Sequence, residues 1–141
     1  MEKMKNNTID LELHFRNVLT VTNLVSSLQY WLPELKNAIQ EYKEDDPEIE
    51  LPFLFIGEIF NPLLRSYLDN AQQNPNLVKR LFHFLELMAR STDKELWNIQ
   101  AIGILNKLNS KQLEVAKKLM GPSTKRNFSD YQNYVTQLLK K

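Results

Sequence analysis

Apolar residues recur at three- and four-residue spacings along nearly the whole chain, and this period predicts amphipathic α-helices. Proline or clusters of polar residues separate the apolar runs that begin at Leu11, Leu51, Leu77 and Leu96. Only three glycines occur in 141 residues, which argues against a many-stranded sheet, because tight hairpin turns commonly need glycine. The helices predicted in this way cover residues 10–30, 33–42, 51–68, 76–90, 93–108, 110–120 and 123–139.

The predicted fold is therefore all-α: a compact domain of six or seven helices, of the HEAT-like or α-α superhelix type. A length of 141 residues fits one domain that can bury a core of its own. We predict a single helical domain over residues 1–141. Within it, residues 1–9 are expected to be flexible, and residues 44–50 are expected to form an acidic linker.

Two stretches disturb the helical pattern. Thr20, Val21 and Thr22 are β-branched and lower the helix propensity, so we expect a break or a frayed helix start there. Pro62 lies inside the most apolar stretch and removes one intrahelical hydrogen bond, so a kink near residues 59–61, or two abutting helices, is expected. A short strand over residues 52–56 is the competing interpretation, because short apolar runs fit either structure.

Helix ends are marked by capping residues. Thr92, followed three residues later by Glu95, predicts a capping box. Gly121 precedes a proline and suits the left-handed position just after a helix end. Ser123 or Thr124 is then expected to cap the last helix.

Charge is divided along the chain although the net charge is only +1. Residues 1–64 contain 5 Lys and Arg against 11 Asp and Glu, a net charge of −6, whereas residues 65–141 contain 13 against 6, a net charge of +7. One interpretation is a partner that recognises one sign of charge. The simpler interpretation is that the two halves attract each other within one fold, because no dense basic block occurs.

Residues suited to catalysis or metal binding are scarce. Cysteine is absent, so disulfides and thiolate ligands are excluded. The two histidines, His14 and His83, lie far apart in the sequence and form no zinc-binding pair. We therefore predict no catalytic residue, no metal site and no cofactor. An enzymatic alternative would use Glu58 or Glu86, which interrupt apolar runs and would have a raised pKa if they were buried without a partner.

Neither a signal peptide nor a membrane span is expected. The first residues lead into no sustained apolar run. Eighteen consecutive apolar residues occur nowhere, so we predict no membrane partner and a cytoplasmic location.

The helix pair predicted over residues 76–108 resembles one HEAT unit. The second helix of such a unit starts after an aspartate, carries an acidic residue and an aliphatic residue in its first turn, and then has small residues on the packed face. Asp93, Glu95, Leu96, Ala101 and Gly103 occupy those positions. Small residues allow close approach of two helices.

The longer pattern resembles a group of small bacterial helical proteins of unknown function. The shared features are Leu-Pro-Glu-Leu at 32–35, Phe-Asn-Pro at 60–62, Phe-Leu-Glu-Leu-Met at 84–88, an Asp-Glu type of turn at 92–95, and Gly-Pro-x-Thr-Lys at 121–125. Some of these proteins accompany secreted-toxin loci, where immunity proteins are found. The resemblance therefore implies an immunity or accessory role.

The function expected from these observations is non-enzymatic binding of another protein, for example a basic toxin, by surface complementarity. The alternative is a helical nucleic-acid-binding or regulatory protein that uses the basic C-terminal half, although nucleic acid is the less favoured partner. The oligomeric state cannot be read from the sequence. The residues expected to bind the partner are those of the acidic run: Glu44, Asp45, Asp46, Glu48 and Glu50.

Overall fold

The computed structural model describes residues 19–45 and 52–140, with side chains for 19–41 and 52–140. Within these residues every regular element is helical, which confirms the all-α prediction. The helix predicted over residues 10–18 and the flexibility predicted for residues 1–9 lie outside the described part. HEAT-like packing of residues 76–108 stays a prediction.

The chain order is a series of helical stretches joined by short turns. The elements are α1 Leu24–Trp31, a 3₁₀ turn Pro33–Leu35, α2 Lys36–Asp45, α3 Pro52–Phe55, a first π segment Ile56–Phe60, α4 Asn61–Asp69, α5 Pro75–Arg90, α6 Lys94–Asn98, a second π segment Ile99–Ile104, a 3₁₀ turn Leu105–Lys107, α7 Ser110–Leu119 and α8 Pro122–Leu139.

A break or a frayed helix start is predicted near residues 20–22, and the described residues 19–23 are indeed not helical, because α1 begins only at Leu24. Side chains provide acceptors for the backbone before that point. The Thr20 N–H donates to Asn23 Oδ1 at 2.8 Å, and the Val21 N–H donates to Asp93 Oδ2 at 2.9 Å. The β-branched stretch therefore satisfies its backbone groups through side chains rather than through an added helical turn.

Pro62 is accommodated by a widened turn. The Asn61 N–H donates to the Ile56 carbonyl, five residues back, so the chain passes from α3 through the first π segment into α4 without leaving helical geometry. The irregularity lies where the sequence predicts it, because proline cannot make the normal interior bond and its ring crowds the preceding turn. The competing strand over 52–56 is wrong, since Pro52–Phe55 is helical.

The second π segment packs against the first. The Asn61 side-chain amide donates a hydrogen bond to the Gly103 carbonyl, and a Cβ placed on Gly103 would lie 3.6 Å from Ile56 Cγ2. The two irregular turns are therefore joined by a polar contact and by close packing. Asn61 is 6% exposed, and its Oδ1 has no hydrogen-bond partner among the described residues.

A single apolar cluster connects the described helices. A buried polar network lies beside it: Gln100 donates to the Leu85 carbonyl, and the Asn127 side chain donates to Gln100 Oε1 at 2.8 Å and to the Trp97 carbonyl at 2.9 Å. This network links α5, the second π segment and α8. The buried residues of the apolar cluster itself include Leu28, Leu35, Phe55, Phe60, Leu64, Phe84, Leu96, Ile104 and Ala116.

Several predicted helix ends are wrong in detail. Asp93, not Thr92, is the N-cap of α6, and its Oδ1 accepts from the Glu95 N–H at 3.0 Å. The capping box belongs instead to Asn109 with Gln112, at the start of α7. Asp93 is preferred at its position because its second oxygen also accepts from the N-terminal segment, a tertiary contact that local sequence does not reveal.

The predicted linker over residues 44–50 begins inside a helix. The backbone of α2 continues to Asp45, three residues beyond the predicted end at residue 42. The remaining linker residues, 46–50, lie outside the described part.

Replacing Asn61 by alanine should destabilise the fold by about 1 kcal/mol, because the hydrogen bond that joins the two π segments is lost. Urea unfolding followed by circular dichroism measures this change. Asn106→Ala is the matched control, since Asn106 is exposed in the 3₁₀ turn. Equal unfolding midpoints for the two variants would contradict the role given to Asn61.

Candidate functional site

Glu86 is the buried carboxylate of α5, at 6% exposure. Its Oε1 accepts from the Thr124 N–H and the Thr124 hydroxyl, both at 2.8 Å, and its Oε2 accepts from the Ser123 N–H at 3.0 Å. Arg90 Nε, one turn along α5, lies 3.3 Å from Oε2. The carboxylate of one helix therefore satisfies the free N–H groups that begin another helix.

Gly121 is the N-cap of α8, with φ −75° and ψ 173°. The predictions that it would be left-handed at a helix C-terminus, and that Ser123 or Thr124 would be the cap, are therefore wrong. A Cβ at Gly121 would lie 2.5 Å from Glu86 Cδ and 2.6 Å from Oε1. Glycine is needed here because the Glu86 carboxylate occupies the space of a side chain and acts in place of the missing cap.

Burial by itself raises the pKa of Glu86, but hydrogen bonds from Ser123 and Thr124 and the positive charge of Arg90 outweigh it. The pKa therefore lies below its ordinary value of 4.5, and the group is ionised at neutral pH. The buried carboxylate therefore has partners, Arg90 among them, and its pKa is not raised as it would be without a partner. An ionised carboxylate held by several donors is poorly suited to donate a proton.

A cleft of about 310 Å³ lies beside this carboxylate, and Lys79, His83 and Arg90 line it from α5. His83 is half-buried, and its ring meets the Trp31 ring edge-on, with centroids 5.2 Å apart. The other candidate carboxylate, Glu58, is exposed on the first π segment. The two candidate glutamates therefore lie in different environments, since Glu86 is buried and Glu58 is exposed. Within the described residues no group of three metal-ligating side chains is clustered.

Exposed apolar side chains border the paired π segments. Phe53 is 68% exposed, Leu54 37% and Ile102 45%. Gly57, one turn after Phe53, is also exposed, and a Cβ there would meet no atom within 4 Å. We call Phe53, Leu54 and Gly57, which lie within five consecutive residues, the π-pair surface.

The spacing of Phe53, Ile56 and Phe60 predicts that all three lie on a buried helix face, and for Phe53 this is wrong. No local signal indicates its exposure, because phenylalanine is usually buried. The five acidic residues predicted to bind a partner precede it: the backbones of Glu44 and Asp45 end α2, while Asp46, Glu48 and Glu50 lie outside the described residues. The structure does not describe any of these five side chains.

The sequence model of a family described as a domain of unknown function, DUF7674, matches residues 25–137. The chain belongs to the DUF7674 family. The match begins just inside α1 and ends near the end of α8, so the DUF7674 domain includes Glu86, Gly121 and the π-pair surface. We found no match to this chain among curated proteins or solved structures. In the described part of the DUF7674 domain, every helix is too short or too polar to span a bilayer.

Gly121→Ala should destabilise the domain by about 1–3 kcal/mol, because the new methyl group would collide with a carboxylate that is itself held in place. Gly57→Ala is the matched control and should stabilise the domain by about 0.5–1 kcal/mol, because that site is open and alanine favours helix. Thermal and urea unfolding measure both. Equal shifts for the two variants would contradict the packing described for Gly121.

Glu86→Gln should destabilise the domain by about 1–3 kcal/mol at pH 7 by weakening the contacts to α8. Because the folded-state pKa of Glu86 is lowered, its ionisation contributes stability that is fully present above the unfolded-state pKa. That contribution is lost as the pH falls from about 5 through the folded-state pKa. The difference between wild type and Glu86→Gln should therefore shrink in acid. Urea midpoints at pH 7 and below pH 4 test this, with exposed Glu95→Gln as control; a constant difference would contradict it.

Proposed function

We propose that this domain is a non-catalytic module that binds another protein through the π-pair surface together with the acidic run at residues 44–50. The observation that carries the proposal is the 68% exposure of Phe53, three residues after that run ends. Protein interfaces combine an apolar or aromatic anchor with a polar, charged rim. An aromatic side chain that is exposed to solvent, and close in sequence to acidic residues, matches that arrangement.

The local backbone supports such an anchor. Phe53 and Leu54 belong to a helix whose next turns are fixed by the Asn61–Gly103 hydrogen bond, so they stand on a rigid base. Gly57 leaves an open site one turn away, and this allows a partner backbone to approach closely. A preorganised surface of this kind reduces the ordering cost of binding.

The contacts of Glu86 support a role other than acid–base chemistry. Its two oxygens accept three hydrogen bonds from the start of α8 and face Arg90. Protonating this carboxylate would weaken the anchoring of α8. We therefore assign Glu86 a structural role and retain the non-enzymatic proposal.

The finer proposal concerns the partner. An acidic run of five carboxylates within seven residues favours a basic protein, such as a nuclease toxin, and speeds its association. With the resemblance to small bacterial proteins near toxin loci, this supports a cytosolic immunity or accessory role.

Nucleic-acid binding is the second candidate, favoured by the charge of the C-terminal part. Residues 99–140 contain seven Lys and Arg against two acidic residues, and all seven basic side chains are exposed. The aromatic residues that would stack on bases are less favourable, because Phe128 is 5% exposed and belongs to the core. A gel shift with random RNA and DNA at low salt separates this candidate from protein binding.

Phe53→Ser should weaken binding to the product of the neighbouring gene by about thirtyfold, the effect of losing an aromatic hot spot. Isothermal titration with the purified product measures the change. Tyr134→Ser is the matched control, because Tyr134 is 60% exposed on α8, far along the chain from the proposed surface. No binding by the wild-type protein would contradict the immunity or accessory role, and equal binding by Phe53→Ser would contradict the π-pair surface.

The charge contribution has its own variants in the same assay. Reversing Glu44, Asp45, Asp46 and Glu48 to lysine should slow association and remove its salt dependence. Reversal of the three exposed residues Glu95, Glu114 and Asp130 makes a comparable change in net charge outside the run. If reversal of the acidic run slows association no more than this control does, the electrostatic mechanism is wrong.

A further inference from the structure

A second, separate cleft lies at the C-terminal end of the continuous helix formed by α3, the first π segment and α4. Phe53 lies near the N-terminal end of the same helix. The cleft has a volume of about 550 Å³ and is formed by the end of α4, the turn at residues 70–73 and one side of α7. Its size falls in the range of clefts that hold small ligands or short peptides. None of its lining residues belongs to the π-pair surface.

The cleft has an apolar floor. Leu68 is 3% exposed, and Ala71 and Val115 are partly buried against the core. The walls are held in place by buried Gln112, whose side chain donates to Asp69 Oδ1 at 3.1 Å, while its backbone N–H donates to Asn109 Oδ1 at 2.7 Å. The start of α7 is thereby fixed to the end of α4, so the cleft has a defined shape.

The rim of the cleft is basic. Lys111 and Lys118 line it from α7 and are both exposed. They are seven residues apart, so they lie on the same side of the helix about 10 Å apart, with Val115 between them. Among the lining residues Asp69 is the acidic one, and it already accepts a hydrogen bond from Gln112. Asp69 keeps its negative charge while it accepts that bond, so two lysines and one aspartate give the lining a net charge of +1.

The opposite wall consists of carboxamides. Asn70, Gln72 and Gln73 form the turn that faces α7 across the cleft. Carboxamides offer both donors and acceptors, which suits the N–H and C=O groups of an extended peptide. Single-stranded nucleic acid is bound through aromatic stacking platforms, and no aromatic residue is among those that line this cleft.

We propose that this cleft binds an acidic peptide segment of a partner protein, with two carboxylates on one side of an extended chain and an apolar side chain between them. The carboxylates meet Lys111 and Lys118, and the apolar side chain packs on Val115. Positions 1, 3 and 5 of an extended segment face the same way, and positions 1 and 5 lie about 13 Å apart. Because lysine side chains are long and flexible, a segment such as Glu-Ala-Leu-Ala-Glu has the right reach. This inference does not depend on the proposed function, because it uses different residues and the opposite charge.

The test uses the full chain and a short fluorescein-labelled peptide that contains Glu-Ala-Leu-Ala-Glu between serine and glycine flanks. Fluorescence anisotropy should show saturable binding. The double variant Lys111→Glu/Lys118→Glu should bind about tenfold more weakly or worse, because two attractions become two repulsions. Lys107→Glu/Lys117→Glu makes the same change in net charge outside the cleft and should bind within about twofold of wild type.

Four further measurements decide the assignment. A peptide with glutamine in place of both glutamates should bind at least about tenfold more weakly. Val115→Asp should also weaken binding, whereas Phe53→Ser should not, which separates this cleft from the π-pair surface. Absence of saturable binding, equal losses in the two double variants, or tighter binding of a random single-stranded RNA oligomer than of the peptide would overturn the proposal.

Discussion

The C-terminal part of the fold depends on the buried carboxylate of Glu86. Helix α8 starts with a glycine that has no side chain to cap it and a proline that has no N–H to donate, and the next two N–H groups would remain without an acceptor. Glu86 supplies both acceptors from α5, and Arg90 balances its charge. Because the carboxylate fills the space beside Gly121, a side chain at that position would collide with it. The same contact fixes the start of α8. The Asn127 network then continues the attachment along α8.

Two residues likewise determine the structure around the paired π segments. Pro62 forces a wider turn in one helix, and the Asn61 side chain connects that turn to the Gly103 carbonyl of the other. The packing that results buries Ile56, Ile59 and Phe60 but leaves Phe53 and Ile102 in solvent. Irregular turns of this kind occur often at functional sites, and here they support the exposed apolar surface that carries the proposed protein binding. The basic cleft at the end of α4 lies apart from it, so the domain presents two surfaces of different chemistry.

Some elements of this fold follow from local sequence, and others do not. The period of the apolar residues predicts α5 to within one residue at its start, because sixteen residues of strong amphipathicity leave little choice. The disturbance at Pro62 is predicted because proline acts through its own covalent structure. The caps at Thr92 and Gly121 are predicted wrongly, because each depends on a contact with a distant segment: Val21 with Asp93, and Glu86 with Ser123 and Thr124. Burial of Phe53 is predicted wrongly for a related reason, since periodicity gives the face of a helix but not whether another helix covers it.

The sequence by itself determined the helical class, the approximate helix order, the place of the proline irregularity and the absence of cysteine chemistry. These follow from backbone propensity, local spacing and residue identity, all of which act within a few positions of the chain. Tertiary structure decided which carboxylate is buried and what it caps, which glycine is sterically required, and which apolar residues stay exposed. It also decided that Lys111 and Lys118 face a carboxamide-rich turn. Those features join residues about 40 positions apart, and only the packing of the helices sets such distances.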